Sequence, residues 1–334
     1  MISKTADNSI VLAPEDDMPV PGFMPGIMVG GPYARSYRRE YITLSATKWV
    51  AGGGALIWMA IYGSGWVEWS AFVTFYVLNM LGIAIGYHRL FAHRAFKTSQ
   101  PMEYLFGIMA QMAAIGSLVK WAVDHRRHHR HTDRPGDAHS PLYDSHGNPQ
   151  TGWRAFYMSH FGWVLDDTYT VHEAYGKGLL DSPAAQYCHR TRWLWFIVSI
   201  FVLPALWGLA FAATWQQLVG TILIGGGLRS LLVLHALLSL SSIGHLYGSQ
   251  NFKGTQNSRN NFFLALLTLG EGWHNNHHHH ANSAHFKMRW YEIDMSGSLI
   301  LLLEKIGLVW DVQLAPKYRV SSEGELVFKS KTTA

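Results

Sequence analysis

The feature that most constrains this 334-residue chain is a set of histidine clusters joined to apolar stretches. HRLFAH carries His88 and His93, HRRHH carries His125, His128 and His129, and HNNHH carries His274, His277 and His278. His245, in SSIGHLYG, closes a long apolar segment. A fold that uses them together must bring nine imidazoles to one polar end of an apolar bundle. Imidazole is a good ligand for iron, zinc, copper and nickel. A zinc site closes with about four ligands, so nine predict a dinuclear centre. In HxxHH the histidines fall at i, i+3 and i+4, on one helical face. HxxxxH sets its two about 140° apart on an ideal helix, so that segment unwinds or divides its ligands between two metals. The same spacing test leaves out His131, His139, His146, His160, His172, His189, His235, His279, His280 and His285. His279 and His280 extend the last box to HNNHHHH and are read as flanking.

Hydrophobic residues make up 49% of the chain and charged residues only 15%, against about 25% charged in soluble proteins. Mean hydropathy is +0.03, so membrane segments must be offset by a large polar part. The single Cys188 excludes an internal disulfide and suits a reducing compartment. The net charge of +5 favours an anionic membrane face, and no motif points to nucleic acid. The first 42 residues hold Pro, Gly and acids with no compact apolar core after a basic start. No secretory signal is expected there, and the segment reads as largely irregular.

Four apolar segments reach membrane-spanning length, about 46–66, 69–87, 193–213 and 218–245. Basic residues gather before the first (Arg35, Arg38, Arg39, Lys48), after the second (Arg89, Arg94, Lys97), before the third (Arg190, Arg192) and after the fourth (Lys253, Arg259). The two short turns lack them. By the positive-inside rule both termini and all the boxes are cytoplasmic. The stretch Leu105 to Val119 is too short to cross, and reads as an interfacial or re-entrant helix. Arg229, inside the fourth span, is expected to pair with a neighbouring helix or carbonyl.

The blocks GYHRLFAHRAF, WAVDHRRHHRHTDRPGDAHSP, MSHFGWVL, SIGHLYGSQNF and NSRNNFFLALLTLGEGWHNNHHH, in this order from about residue 80 to 285, resemble the membrane-bound fatty acyl desaturases, stearoyl-CoA desaturases and their bacterial relatives. The resemblance implies an all-α membrane protein: four transmembrane helices and a helical cytosolic cap holding a histidine-ligated di-iron site. It implies a cytosolic N-terminal segment (1–42), a desaturase domain (43–315; cap 88–192 and 246–315) and a C-terminal tail (316–334). His88, His93, His125, His128, His129, His245, His274, His277 and His278 are the implied ligands of two iron ions, with O2 as co-substrate. An acyl tunnel is expected along Tyr76, Met80, Trp121 and Trp273. Relatives often carry Asn four residues before the equivalent of His245; here it is Ser241.

The implied reaction inserts a cis double bond into a saturated acyl chain, of the acyl-CoA delta-9 kind, using O2 and two electrons. Asp124 and Glu271, which flank the boxes, are candidate acceptors for the outer imidazole N–H, whereas Asp133 and Asp137 read as solvated or capping residues. Two departures bear on the carrier. Val123 stands where acyl-CoA readers often have a basic residue, and Val164, Leu165, Asp166 and Asp167 replace a basic stretch. Lys120, Arg126, Arg127 and Arg130 remain as phosphate contacts. The alternative is a di-iron hydroxylase or a terminal-alkene- or alkyne-forming oxidase acting on an acyl-carrier-protein-bound or free fatty acid. A metal transporter is the third reading, but its ligands should line a transmembrane path. The tail after residue 315 is too short for a donor domain. Electrons are therefore expected from a separate protein such as a ferredoxin, docking near Arg126, Arg127 and Arg130. The expected location is a bacterial inner membrane, among lipid.

Overall fold

A computed structural model of the chain describes residues 3–4, 10–11, 20–22, 24–254, 256–321 and 324–328. The first long helix, α1 (Gly31–Tyr62), begins well before the expected span, with Pro32 in its first turn. The segment expected to be irregular up to residue 42 therefore carries a strand, Ile27–Val29, and three turns of helix; residues 1–2, 5–9, 12–19 and 23 lie outside the described part. Tyr41, Ser45, Lys48, Gly52 and Ala55 recur every three to four residues and are buried. On the opposite face Val50, Ile57 and Ile61 are 77%, 64% and 66% exposed.

A tight turn at Gly63, whose φ is +73°, leads into α2 (Trp66–Leu81). That helix continues as a π-helix over Gly82–Ala92, so the rod is 27 residues long instead of ending at residue 87. Its widened turns lie against α3 (Gln100–Gln111). A Cβ at Gly86 would sit 2.4 Å from the Phe106 carbonyl oxygen, so only glycine permits that approach. At about 18 Å, α3 is too short to span. It is followed by α4 (Leu118–His131), and then by α5 (Gly152–His160), α6 (His172–Tyr175) and α7 (Pro183–Arg190).

The next rod joins α8 (Arg192–Ile197), a π-turn over Val198–Val202 and α9 (Leu203–Phe211). Pro204 has no N–H for the Ile200 carbonyl, and Gly226 closes on that oxygen; a Cβ there would lie 2.0 Å away. Gly226 belongs to the last rod, which joins α10 (Trp215–Thr221), a π-turn over Ile222–Leu228, α11 (Arg229–Ser241) and α12 (Ile243–Leu246). Arg229 is fully buried; it donates to the carbonyls of Gly225 (3.0 Å) and Ser199 (2.6 Å) and to Asn79 Oδ1. It thus ties three rods through oxygen acceptors, as a cation in an apolar bundle must.

Among the described residues, three helices are long and apolar enough to cross a membrane: Trp66–Ala92, Arg192–Phe211 and Trp215–Leu246. The segment expected to be the first of four lies in α1, where Lys48 and three consecutive glycines dilute the apolar run. The remaining helices, α13 (Phe262–Leu267), α14 (His274–His279) and α15 (Met295–Lys305), close over the bundle end. Short strands staple the cap: Ile27–Val29 pairs with Val20–Pro21 and Thr168–Thr170, Lys97–Thr98 with Val309–Trp310, and Tyr318–Val320 with Leu326–Phe328. The fold is mostly helical, with these small pairings added to the expected all-α plan.

Candidate metal centre

The π-helix decides how HRLFAH is used. His93 N donates to His88 O at 3.0 Å, an i→i+5 bond. The widened turn sets both imidazoles on the same side, so the segment departs from the ideal α-helix without dividing its ligands. His88, His93, His125, His129 and His277 form one group, and His128, His245, His274 and His278 form a second; within each the nearest ring nitrogens lie within 4.8 Å of one another. Both HxxHH boxes are split between groups. His125 and His129 serve the first and His128 the second; His277 serves the first, and His274 and His278 the second.

The inner nitrogens run in chains. In the first group His88 Nε2 lies 2.9 Å from His277 Nε2, which lies 2.8 Å from His129 Nε2, and His93 Nε2 is 2.8 Å from His125 Nε2. In the second, His128 and His278 are 3.3 Å apart, His278 and His274 3.0 Å, and His274 and His245 3.0 Å. Three of the rings turn their outer nitrogen onto a carboxylate. His88 Nδ1 meets Glu271 Oε2, His128 Nδ1 lies 2.7 Å from Asp137 Oδ1, and His245 Nδ1 lies 3.1 Å from Asp133 Oδ2. A carboxylate can only accept, so Nδ1 holds the proton and Nε2 presents its lone pair inward. Lone pairs converging at such distances repel unless cations lie between them. The residues therefore fit two metal ions, and an all-imidazole set suits iron, zinc, copper or nickel over magnesium or calcium.

Electrostatics agree. Burial, reinforced by neighbouring imidazoles, holds His93, His125, His129, His274, His277 and His278 well below the ordinary histidine pKa, in the neutral form that ligates. Burial alone would raise the Glu271 carboxyl, but Arg89 and His88 outweigh it and leave it below the usual range. Asp137 is likewise depressed: burial raises it, and His128 more than reverses that. Arg89, fully buried, clamps Glu271, both Asp294 oxygens (3.2 and 3.1 Å) and the Ala284 carbonyl (3.0 Å).

The carboxylates differ from expectation in three places. Asp124 touches no ligand histidine; it pairs with Lys120 and accepts from Thr170 Oγ1 at 2.5 Å. Asp133 and Asp137, expected to be solvated or capping, are buried against His245 and His128. Asp133 adopts φ +57°, held there by its backbone N–H to Asp137 Oδ2 at 2.9 Å. The available signal was the loop HTDRPGD itself, whose Pro-Gly turn folds both acids back under the box. His139 was also missed. Its ring centroid is 4.2 Å from that of His128, and its buried Nδ1 has no partner.

An apolar cavity opens against the histidines. Ile83, Ile115, Trp121, Trp163, Leu237, Leu238 and Ser241 line it together with His88, His125, His128, His139 and His274. Trp121 stacks on His125 at 4.8 Å and 11°. The other three expected tunnel residues are not on its walls. Tyr76 donates to the Leu267 carbonyl at 2.7 Å, Met80 is buried in the main core, and Trp273 packs on Ala265 and Phe286 with its N–H on the Ile293 carbonyl. Of the helical stretch before His88, Ile83 reaches the cavity wall, and α11 supplies Leu237, Leu238, Leu240 and Ser241.

The basic residues expected to meet phosphate are largely committed inside the protein. Lys120 is buried against Asp124, between the rings of Tyr37 and Tyr41. Arg127 is buried and donates to the Gly136 carbonyl at 2.7 Å. Arg126 donates to the carbonyls of Phe91, Ala92, Tyr175 and Lys177. Only Arg130 is exposed.

Residues 64–295, two thirds of the chain, match the fatty acid desaturase family model. The chain belongs to that family. It is 38% identical over 261 residues to a hex-5-enoyl-acyl-carrier-protein acetylenase of Moorena producens, covering 78% of this chain and 80% of the relative. It is 31% identical to delta-9 acyl-lipid desaturase 2 of Arabidopsis thaliana (84% and 85% covered) and 30% identical to the sn-1 stearoyl-lipid 9-desaturase of a Synechocystis strain (76% and 74%). A desaturase of this family is an oxidoreductase of lipid metabolism, and its apolar helices place it at a membrane.

Proposed function

We propose that the protein is an O2-dependent membrane fatty acyl desaturase that inserts a cis double bond into a saturated chain at a di-iron centre. The observation that carries this reading is the five-and-four histidine grouping facing an apolar cavity. Iron, when bound by the nine histidines, supplies the dioxygen chemistry that removes hydrogen from an unactivated methylene. The protein's own part is positioning. Trp121, Ile83, Leu237 and Leu238 hold the chain beside the histidines and exclude water. Glu271, Asp137 and Asp133 fix the orientation of His88, His128 and His245. Asp124 belongs to the polar mouth of the cavity and not to the ligand support.

We read α1 as the fourth span, because its outward face exposes Val50, Ile57 and Ile61 while Ser45 and Lys48 turn inward. Both termini and the histidine centre then lie in the cytoplasm, in a bacterial inner membrane. Electrons come from a separate carrier such as a ferredoxin. Burial of Lys120 and Arg127 favours a thioester on an acyl-carrier protein or an acyl lipid over acyl-CoA, since neither is free to meet nucleotide phosphates. The second reading, formation of an alkyne or terminal alkene on a carrier-bound chain, is favoured by likeness to the acetylenase. The experiment is expression of the chain in a host without desaturases, followed by mass spectrometry of its lipids and acyl carriers with location of unsaturation. A new cis double bond is the expected product; a hydroxyl or triple bond instead would replace this reading with the second.

A further inference from the structure

HNNHHHH contains two imidazoles that the centre does not take. His279 follows the ligand His278, yet it is exposed and stacks on Phe252, with ring centroids 4.0 Å apart and planes 4° apart. His280 packs edge-on to the same ring at 5.5 Å and bonds Tyr318 Oη at 2.8 Å. Phe252 is anchored in turn to the box. Its N–H donates to Asn275 Oδ1 at 2.8 Å, and its carbonyl accepts from Asn275 Nδ2 at 3.0 Å. Asn275 follows the ligand His274. One aromatic ring thus joins the protein surface to the neighbours of two ligands of the second group. Beside it a shallow groove runs between His279, His280, Gln313 and Leu314. Its surroundings are basic: Lys253 and Lys317, next in sequence to Phe252 and Tyr318, are exposed, and Arg289 donates to Asn251 Oδ1 at 2.7 Å. Glu325, on the C-terminal hairpin, offsets one of these charges.

We infer that this face, and not the Arg126–Arg130 side, is where a small acidic one-electron carrier protein docks, with Phe252 and His279 as the route to the metals. The inference rests on the desaturase reading. Each turnover removes two hydrogens from adjacent methylenes, consumes one O2, two electrons and two protons, and releases two waters. Two reduced carriers each leave oxidised by one electron. Electron tunnelling falls steeply with distance, so a docking site needs a short bonded path, which this face supplies. Complementary charge sets the encounter.

The test uses the full iron-loaded chain in nanodiscs with a plant-type 2Fe–2S ferredoxin. Binding is titrated at low salt, and oxidation of reduced ferredoxin is followed by absorbance. Lys253→Glu with Lys317→Glu is expected to weaken binding about tenfold. Phe252→Leu alone, behind the exposed His279, is expected to keep binding within about twofold while slowing ferredoxin oxidation. Reduction by dithionite, which needs no docking, should match the unaltered protein in both. Arg130→Glu serves as the rival. Unchanged binding in the lysine variant, or loss only in Arg130→Glu, overturns the assignment, as does equal slowing with dithionite. Lipid products are read separately: ferredoxin binding that responds as expected without any unsaturated product would sink the desaturase reading and leave the docking face standing.

Discussion

At the scale of single residues, the outer shell is as consequential as the ligands. His128→Ala or His277→Ala removes one donor from each group and is expected to abolish turnover; retained activity with full iron content in both variants would remove those histidines from the centre. Asp137→Asn keeps the volume but no longer fixes the His128 tautomer, and should lower metal affinity about 10- to 100-fold, read by competition with a chelator. The buried imidazoles also set a pH dependence. Their folded pKa values lie below the unfolded value of about 6.5. Below that pH the unfolded chain takes up protons that the native one refuses. Stability is therefore full above about pH 6.5 and falls as the solution is acidified, by up to about 1.4 kcal/mol per pH unit for each such group. The metal-free protein should lose thermal stability steadily between about pH 6.5 and 5. A flat melting profile over that window would show that the imidazoles are not held neutral by burial.

At the scale of elements, the boxes were legible because ligand chemistry leaves a spacing, whereas of the acids beside them Glu271 was read and Asp133 and Asp137 were not. HxxHH is an i, i+3, i+4 pattern that any helix honours. Which metal group each imidazole serves is set by ring direction across α4 and α14, and spacing carries no sign of it. The long apolar helices after α1 were legible from hydropathy, with ends a few residues from those expected. Their π-turns were not, since they come from close backbone approaches at Gly86 and Gly226 and from Pro204. Asp133 and Asp137 were read as solvated or capping because the Pro-Gly turn that folds them back is local, whereas their meeting with His245 and His128 is settled only by packing. Tyr76 and Met80 were set on the cavity by assuming a straight α-helix below His88; Ile83 reaches it instead, together with Leu237 and Leu238 of α11. Chain-length preference should follow that wall. Ile83→Ala and Leu237→Ala each free space beside the histidines and should shift a competition among saturated chains toward longer ones. Met80→Ala, buried in the core behind them, should cost about 2–5 kcal/mol of stability with no change of profile. The reverse pattern would place the floor at Met80.

At the scale of the whole molecule, the decisive question is which side of the membrane the centre faces, and the chain offers a clean way to ask it. Cys188 is the only cysteine, and it is buried, so Cys188→Ala leaves a background without thiols. The turn at residues 63–65 and the link at 212–214 carry no Lys or Arg, whereas the opposite ends carry Arg89, Arg94, Arg190, Arg192 and Lys253. Moving the basic ends outward would oppose the usual charge bias of short loops, and it would place all nine histidines away from cytosolic reductant. In that background Ser64→Cys and Ala213→Cys should react with a membrane-impermeant maleimide added to intact cells. Lys177→Cys and Gly254→Cys should react only after the membrane is opened. Ser36→Cys adds a test of α1, because residue 36 shares the side of the basic ends only if α1 crosses despite Lys48. Lys48 can lie at depth because its Nζ donates to the Ala113 and Ala114 carbonyls at 3.3 and 2.7 Å, which supply the acceptors that lipid cannot. Labelling at 36 as well as at 64 in intact cells would mean that α1 does not cross and that three rods alone do. Labelling at 177 and 254 in intact cells would invert the whole arrangement and move the electron carrier to the other side.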